Sequence, residues 1–350
     1  MTNIAILGFG TVGGGVYEAI SKCKSSPMCD VNIKHILDLR SFPGHPLEDR
    51  VTRDLDMIVG DEEVSIVVET LGGVDFAYKC SMAAICAGKH VVTSNKAVVD
   101  ARGEELEKAA KEHGVSYLYE ASVGGGIPII APLKTCFAAD EITRIAGILN
   151  GTTNYILTHM LTEDKSLSEA LLSAQALGYA EADPHADLAG LDTARKISIL
   201  AGIAFGKYIS YLDIPCVEGI ENVTTEDIKY AESLGCSIKL LAVAEKSGDK
   251  ARILVAPHLV GKDSLFCAVN EAFNAVSVTG SAVGETVFYG QGAGALPTAS
   301  AICSDIGRII DGSARSELRV AAEKDFLASV DSETEGFITL PNGKKYRLYR

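Results

Sequence analysis

No apolar run in this 350-residue chain approaches the roughly 20 residues that span a bilayer, so a membrane-crossing helix is excluded. The start, MTNIAILGFG, lacks a basic n-region and a cleavage site and reads as a strand, so no signal peptide is expected. Lys and Arg gather into no basic stripe, and a net charge of −14 argues against a nucleic-acid partner. None of the nine cysteines falls in a CxxC pair. Cys23 with Cys29, and Cys80 with Cys86, lack metal-site spacing, and no histidine cluster accompanies them. Reduced, mostly buried thiols in a cytoplasm are therefore expected. What is left is 47% hydrophobic and 22% charged, ordinary for a soluble globular protein and long enough for two cores.

The first apolar run, residues 3–7, suits a central parallel strand and feeds directly into Gly8-Phe9-Gly10-Thr11-Val12-Gly13. A helical pattern through Val16 and Ile20 follows. Strand, GxGxxG and helix in that order point to a dinucleotide site. Gly8 permits the tight turn, Gly10 lets a pyrophosphate approach, and Gly13 allows close helix–strand packing. Free N–H groups of Thr11 and Val12 at the helix start complete the cradle. A second strand, 32–37, ends at Asp38, placed to accept from a ribose 2′-hydroxyl and so to favour NAD. Arg40 instead suits a 2′-phosphate, so NADP stays open.

Further strands are expected at 64–70, 90–93 and 115–119, with helices at 75–87 and 101–112 between and after them. This alternation predicts right-handed βαβ units in a doubly wound parallel sheet, an α/β Rossmann-type fold. Ligands bind at the carboxyl ends of such strands. Thr70, Leu71, Gly72, Ser94, Asn95 and Lys96 stand there, so Lys96 is aimed at the crevice. The triple glycine after Val123 then offers either backbone carbonyls for a hard cation or a hinge.

From Pro132 the tempo changes. A helix to about 138 precedes a strand at 144–149, then a polar loop and a helix starting near Thr153; Gly151 and Thr152 open it and are candidate substrate contacts. A helix is expected at 167–177. Runs at 237–245, 251–257 and 274–279 read as a mostly antiparallel sheet, making this half an α+β domain. A second glycine loop, residues 288–294 and including Gly292, should open a helix at 297–310 that returns to the first domain and reaches the cofactor. Asn342-Gly343 between strand-like runs predicts a terminal hairpin at a sheet edge, without catalytic content. The expected division is 1–130 for the nucleotide, 131–295 for catalysis and dimerisation, 296–320 for the returning helix, and 321–350 for the tail.

The densest chemistry lies in EADPHADLAGLDTARK, which gathers Glu181, Asp183, Asp187, Asp192, Arg195 and Lys196. Helical spacing predicts one helix from about 187 to 205. Asp192 and Lys196 stand four apart on one face. Alone they describe a surface ion pair worth about 0.3–0.5 kcal/mol. Beside an apolar segment, the same residues suit a small zwitterion: carboxylates for an ammonium, a lysine for the reacting oxygen.

Taken together, GFGTVGGGV, VVTSNKAVV, YEASVGGGIPII, GILNGTTNYIL, GYAEADPHADLAGLDTARKISILA and GQGAGALPTASAI resemble homoserine dehydrogenase, over residues 2 to about 312. The resemblance implies NAD(P)H-dependent, reversible reduction of L-aspartate 4-semialdehyde to L-homoserine, on the route to threonine and methionine. It also implies a homodimer built through the catalytic domain. Lys196 and Lys96 fall at the family's catalytic lysine positions. Glu181, Asp187 and Asp192 fall at acidic positions that hold substrate and set the lysine's surroundings. Glu120, Val123, Gly125 and Ile127 fall where the family binds sodium, mostly through carbonyls. The chain leaves no room for the regulatory ACT domain of many members, so threonine feedback through one is not expected. The rivals are another oxidoreductase acting on a different small carbonyl compound, and a catalytically silent dinucleotide-binding regulator. The acid cluster suits a substrate bearing an ammonium, and a silent regulator should lack one or both lysines.

Overall fold

The computed structural model describes residues 1–24, 27–314, 319–323, 325–330 and 336–349. The chain divides into two compact units, Met1–Lys134 with Ala293–Ala321, and Thr135–Gly292 with Ala322–Arg350.

In the first unit, β1 (Thr2–Leu7), α1 (Thr11–Lys22), β2 (Val31–Leu37), β3 (Val51–Thr52), α2 (Leu55–Val59) and β4 (Val64–Glu69) are followed by α3 (Asp75–Cys86), β5 (His90–Thr93), α4 (Lys96–Glu112), β6 (Tyr117–Leu118) and α5 (Ile130–Thr135). The six strands form one parallel sheet in the order β3-β2-β1-β4-β5-β6. Ile4, Ile6, Ile36, Ile66 and Val68 are almost wholly buried in its core, each contributing about 1.5–3 kcal/mol. Register sets the functional edge: Leu7 pairs with Leu37 and Glu69, and Glu69 with Thr93. The next residue on each strand, Gly8, Asp38, Thr70 and Ser94, therefore stands along the carboxyl edge.

Three boundaries differ from the sequence reading. The fourth helix begins at Lys96, because the Asn95 side chain caps it by accepting from the Val98 N–H at 3.3 Å. The expected strand at 115–119 is paired only over Tyr117–Leu118, after which Glu120–Ser122 turns as a 3₁₀ helix. The helix α11 (Ala295–Ile310) starts two residues early and lies against α1. A Cβ at Gly15 would sit 2.7 Å from the Ala295 carbonyl oxygen, so glycine is what lets these helices touch.

The second unit holds β7 (Ile142–Ile148), α6 (Gly151–Thr162), α7 (Leu167–Ala176), α8 (His185–Leu188), α9 (Leu191–Phe205), β8 (Lys207–Tyr208), β9 (Cys216–Val217) and α10 (Thr225–Ser233). They are followed by β10 (Cys236–Ser247), β11 (Lys250–Gly261), β12 (Phe273–Gly280) and β13 (Gly284–Gln291). A short strand β14 (Val320–Ala321) belongs to the first unit; β15 (Phe337–Thr339) and β16 (Lys345–Tyr349) close the second. The large sheet runs β13-β12-β7-β10-β11-β16-β15, mostly antiparallel, with β9 and β16 joining β11 in parallel. The terminal hairpin thus extends the sheet at one edge, as expected. It is fastened by the wholly buried Asp227, whose carboxylate accepts from Lys344 Nζ (2.7 Å), Asn342 Nδ2 (2.7 Å) and the Tyr346 hydroxyl (2.9 Å).

Two expectations are corrected. Residues 288–291 are the end of β13, an edge strand paired with β12, and not part of a glycine loop. The single helix from 187 to 205 is broken into α8 and α9 by Gly190, whose φ is +79°. The left-handed residue turns the chain where a Cβ would come within 3.3 Å of the Glu218 carbonyl oxygen. The apolar spacing at Leu191, Ala194, Ile197 and Ala201 lies wholly beyond the glycine, and α8 buries only Leu188. Beyond it α9 is buried on nearly every side against β7, β10 and β11, which explains why its second half is so apolar.

Candidate functional site

In the first unit the three glycines do what their spacing suggested. Gly8 has a φ of +91°, and a Cβ there would be 2.9 Å from the Thr70 carbonyl oxygen. A Cβ at Gly13 would run into the Gly8 carbonyl. At Gly10 the nearest atom is an Arg40 nitrogen 3.9 Å away, so the space before the α1 N-terminus is open to a pyrophosphate. This cleft has a volume of about 710 Å³ and includes Gly8, Gly10, Asp38, Thr70, Leu71 and Gly72; Arg53 and Phe76 line it too, though nothing in their spacing marked them.

Asp38 does not wait unengaged at the strand end. It accepts from the Phe9 N–H (2.8 Å), and Arg40 donates to both its oxygens at 3.0 and 2.8 Å. The guanidinium holds the Asp38 carboxyl well below the usual carboxylate range, against the opposing effect of burial. A second carboxylate organises the opposite wall. Glu69 is wholly buried, accepts from the Leu71 N–H (2.7 Å) and the Thr93 hydroxyl (2.5 Å), and burial pushes it up to about 7. The Thr93 hydroxyl in turn accepts from the Asn95 N–H (2.9 Å), and Asn95 Nδ2 donates to the carbonyls of Leu71 (3.2 Å) and Gly73 (2.7 Å). The loops carrying Thr70, Leu71, Gly72, Ser94 and Asn95 are thereby tied to each other through one carboxyl. Lys96, the first residue of α4, stands half-buried at this edge.

The loop after Glu120 has a different character. The buried Glu120 carboxylate accepts from the N–H groups of Ile129 (2.7 Å), Ile130 (2.8 Å) and Ala131 (2.6 Å) and so caps α5. The same loop carries the backbone carbonyls of Val123, Gly125 and Ile127. Those oxygens have the chemistry a hard cation takes, and the fit is to backbone. No group of three or more His, Cys, Asp or Glu able to hold a metal occurs among the described residues.

In the second unit the chain brings Lys196, Asp192 and Asp187 together. The fourth member was not foreseen: Asn150, which caps α6 through its Oδ1. Its Nδ2 donates to Asp187 (2.7 Å) and Asp192 (2.9 Å), 37 and 42 residues away. Lys196 Nζ donates to the Leu149 carbonyl at 2.7 Å and lies 2.8 Å from the Asp192 carboxylate. Asn150, Asp192 and Lys196 are all buried, so this is no surface ion pair. The only advance signal for Asn150 was a polar residue where an apolar strand gives way to a helix.

Glu181 is not among them: its side chain is exposed, and its carbonyl accepts from Gln175 Nε2. Gly151 allows close approach, since a Cβ would be 2.7 Å from the Ala272 carbonyl oxygen, while the Thr152 hydroxyl donates to the Tyr179 carbonyl at 2.6 Å. Gly292 faces the buried Asn274 amide, which has no hydrogen-bond partner among the described residues and leaves no room for a Cβ. A larger cleft in this unit, about 970 Å³ and bordered by His185, Glu218 and Lys344, contains none of the Lys196 group.

The chain as a whole is matched among known proteins. The family model described as homoserine dehydrogenase matches residues 128–306, and that of its NAD binding domain matches residues 8–120. This chain belongs to the homoserine dehydrogenase family. A homoserine dehydrogenase of Synechocystis is 46% identical over 317 residues, covering 88% of this chain and 73% of the relative. The crystal structure of the Thiobacillus denitrificans homoserine dehydrogenase superimposes with a TM-score of 0.83 at 38% identity, over 94% of this chain and 79% of that one. A hyperthermophilic archaeal homoserine dehydrogenase, solved in complex with NADPH, reaches 0.78 at 26% identity over 90% and 99%. As in that family, an NAD-binding domain and a separate mostly antiparallel sheet are present.

Proposed function

We propose that the chain catalyses reversible, NAD(P)H-dependent reduction of L-aspartate 4-semialdehyde to L-homoserine. The observation that carries this is the buried Lys196–Asp192–Asn150–Asp187 group. When bound, the nicotinamide cofactor supplies the hydride to the carbonyl carbon and takes it back in the reverse direction. Lys196 faces the carbonyl oxygen and offers its positive charge and a proton as that oxygen becomes an alkoxide. Asp187 attracts the substrate ammonium, joined by Glu181, and Asp192 keeps Lys196 in place. Gly151 and Thr152 border the substrate, and Lys96 shares the proton work or binds the substrate carboxylate.

The cradle of Gly8, Gly10, Thr11, Val12 and Gly13 takes the pyrophosphate, with the Thr70–Gly72 and Ser94–Asn95 loops and Gly292 completing the cofactor's surroundings. Asp38 favours the 2′-hydroxyl of NAD, whereas Arg40 and Arg53 at the same cleft favour the 2′-phosphate of NADP. The archaeal relative's complex with NADPH supports the second. The Glu120, Val123, Gly125 and Ile127 loop holds a sodium ion. The enzyme works as a cytoplasmic homodimer formed through its catalytic domain. In this reading residues 1–130 bind nucleotide, 131–295 carry catalysis and dimerisation, 296–320 return to the nucleotide domain, and 321–350 form the tail.

The test is absorbance at the nicotinamide band with L-homoserine, run separately with NAD and NADP. Reduced cofactor should form with homoserine and not with serine or threonine, and the two rates rank the cofactors. Folded protein silent with both cofactors would overturn the assignment.

A further inference from the structure

One buried side chain beside the lysine group lacks partners. Asn274, on β12, is 1% exposed, and among the described residues neither its Nδ2 nor its Oδ1 is hydrogen-bonded. A buried amide that has given up water without gaining a partner is costly, and folded proteins keep very few. Two such atoms on one side chain point to a second state in which their bonds are made.

Register sets where the amide lies. β12 runs against β7 so that Val276 pairs with Gly147 and Ala275 with Ile148. One further step puts Asn274 beside Leu149, the residue whose carbonyl accepts from Lys196 Nζ. On its other side Asn274 pairs with Gly290 of β13. The chain leaves the sheet after the Phe273–Gln291 pair, and Gly292 then lies directly over the amide, where a Cβ would strike Asn274 Nδ2. Glycines at 290, 292 and 294 leave this stretch without side chains, and Gly294 adopts a φ of +124°. Small backbone rotations there suffice to uncover the amide.

A side-chain amide presents an N–H donor and a carbonyl acceptor side by side. The group that matches both at once is another primary carboxamide, joined to it by two parallel hydrogen bonds. Of the compounds in the reaction proposed above, only the nicotinamide ring carries one; homoserine and its aldehyde do not. We propose that Asn274 is a cofactor-binding residue: with the Gly292 turn displaced, its amide pairs with the nicotinamide carboxamide and orients that ring beside Lys196. This rests on the dehydrogenase reading and adds to it the residue that recognises the carboxamide.

Calorimetric titration of the full chain with NADH and NADPH, and with their 3-acetylpyridine analogues, tests this without turnover. In the analogues a methyl ketone replaces the carboxamide, so the acceptor is kept and the N–H that would meet Asn274 Oδ1 is lost. The wild-type chain should bind the analogue about tenfold more weakly than the natural cofactor. Asn274→Ala should bind the natural cofactor about tenfold more weakly and no longer distinguish it from the analogue. A merely structural asparagine would weaken both ligands together and leave their ratio unchanged, which would overturn the proposal. Equal affinities for cofactor and analogue in the wild-type chain would overturn it too, and that comparison decides the matter even if the variant does not fold. Homoserine-dependent cofactor reduction alongside either negative result would leave the dehydrogenase reading standing, whereas a wild-type chain that binds neither cofactor would remove both.

Discussion

Lys196 and Lys239 are both buried in the second unit, and what surrounds them separates chemistry from architecture. Lys196 Nζ meets one carbonyl and the Asp192 carboxylate, with Asp187 one hydrogen bond further through Asn150. Among the described residues Lys239 Nζ donates only to neutral oxygens, those of Asn154 (3.2 Å), Val269 (2.5 Å) and Asn270 (3.0 Å). Burial pushes Lys239 down to about 8, and the charges of Cys267 and Glu271 only partly oppose it. Two carboxylates gathered around a dry lysine are costly to desolvate and are kept where charge must be handled. A ring of neutral oxygens fastens β10 to the 269–270 turn and to α6, which is work for the fold.

The sharpest way to break the contrast is to remove each lysine. Lys196→Ala should lower turnover by about 10²–10⁴ in protein that keeps its circular dichroism spectrum, though with a lowered Tm because Asp192 loses its buried partner; turnover close to wild type would sink the assignment. Asp192→Asn removes a charge-assisted contact worth about 1.5–3 kcal/mol, so turnover should fall about 10- to 150-fold, less than for the lysine. A larger loss than Lys196→Ala would make the aspartate the primary group.

Lys239→Met should leave turnover within about threefold and act on stability instead. The folded-state pKa of about 8 lies below the ordinary 10.5, so between these values the unfolded chain binds more protons. Wild-type stability therefore rises with pH across that window, and denaturant melts of the variant should lack a rise on the order of 3 kcal/mol.

Glu69→Gln carries the comparison to the first unit, where a buried group again has no opposite charge bonded to it among the described residues. Its folded pKa of about 7 exceeds the ordinary 4.5, so the folded chain binds the extra proton and wild-type stability falls as pH climbs through that interval. Glutamine should flatten that slope and raise the cofactor KM a few-fold with kcat unmoved. A fall in kcat at unchanged KM would mean that Glu69 does more than hold the loops.

The nucleotide unit was legible because its signals are local. Apolar runs buried on both faces announce parallel strands, and GxGxxG at residue 8 fixes the crevice through backbone geometry alone. The lysine site was half legible. Charge density along the chain picked out Asp187, Asp192 and Lys196, which meet, and Glu181, which stands exposed outside their hydrogen-bonded group. Asn150 enters only once β7 and α9 pack, a contact over 42 residues. Lys239 sits inside an apolar strand whose neighbours disguise it, and the first strand turns of β13 were hidden by its glycines. The break at Gly190 escaped because the helical spacing begins only at Leu191 and says nothing about the chain before it, where Leu188 alone is buried.

The packing of α11 on α1 has a consequence for synthesis on the ribosome. Val16 shares a core with Ala299, Ile302 and Ile306, side chains translated nearly three hundred residues later. The nascent nucleotide unit must therefore wait, with one flank uncovered, until almost all of the other unit has emerged. Its last step of folding is a long-range closure, slow by topology and open to chaperone capture or aggregation in the interval.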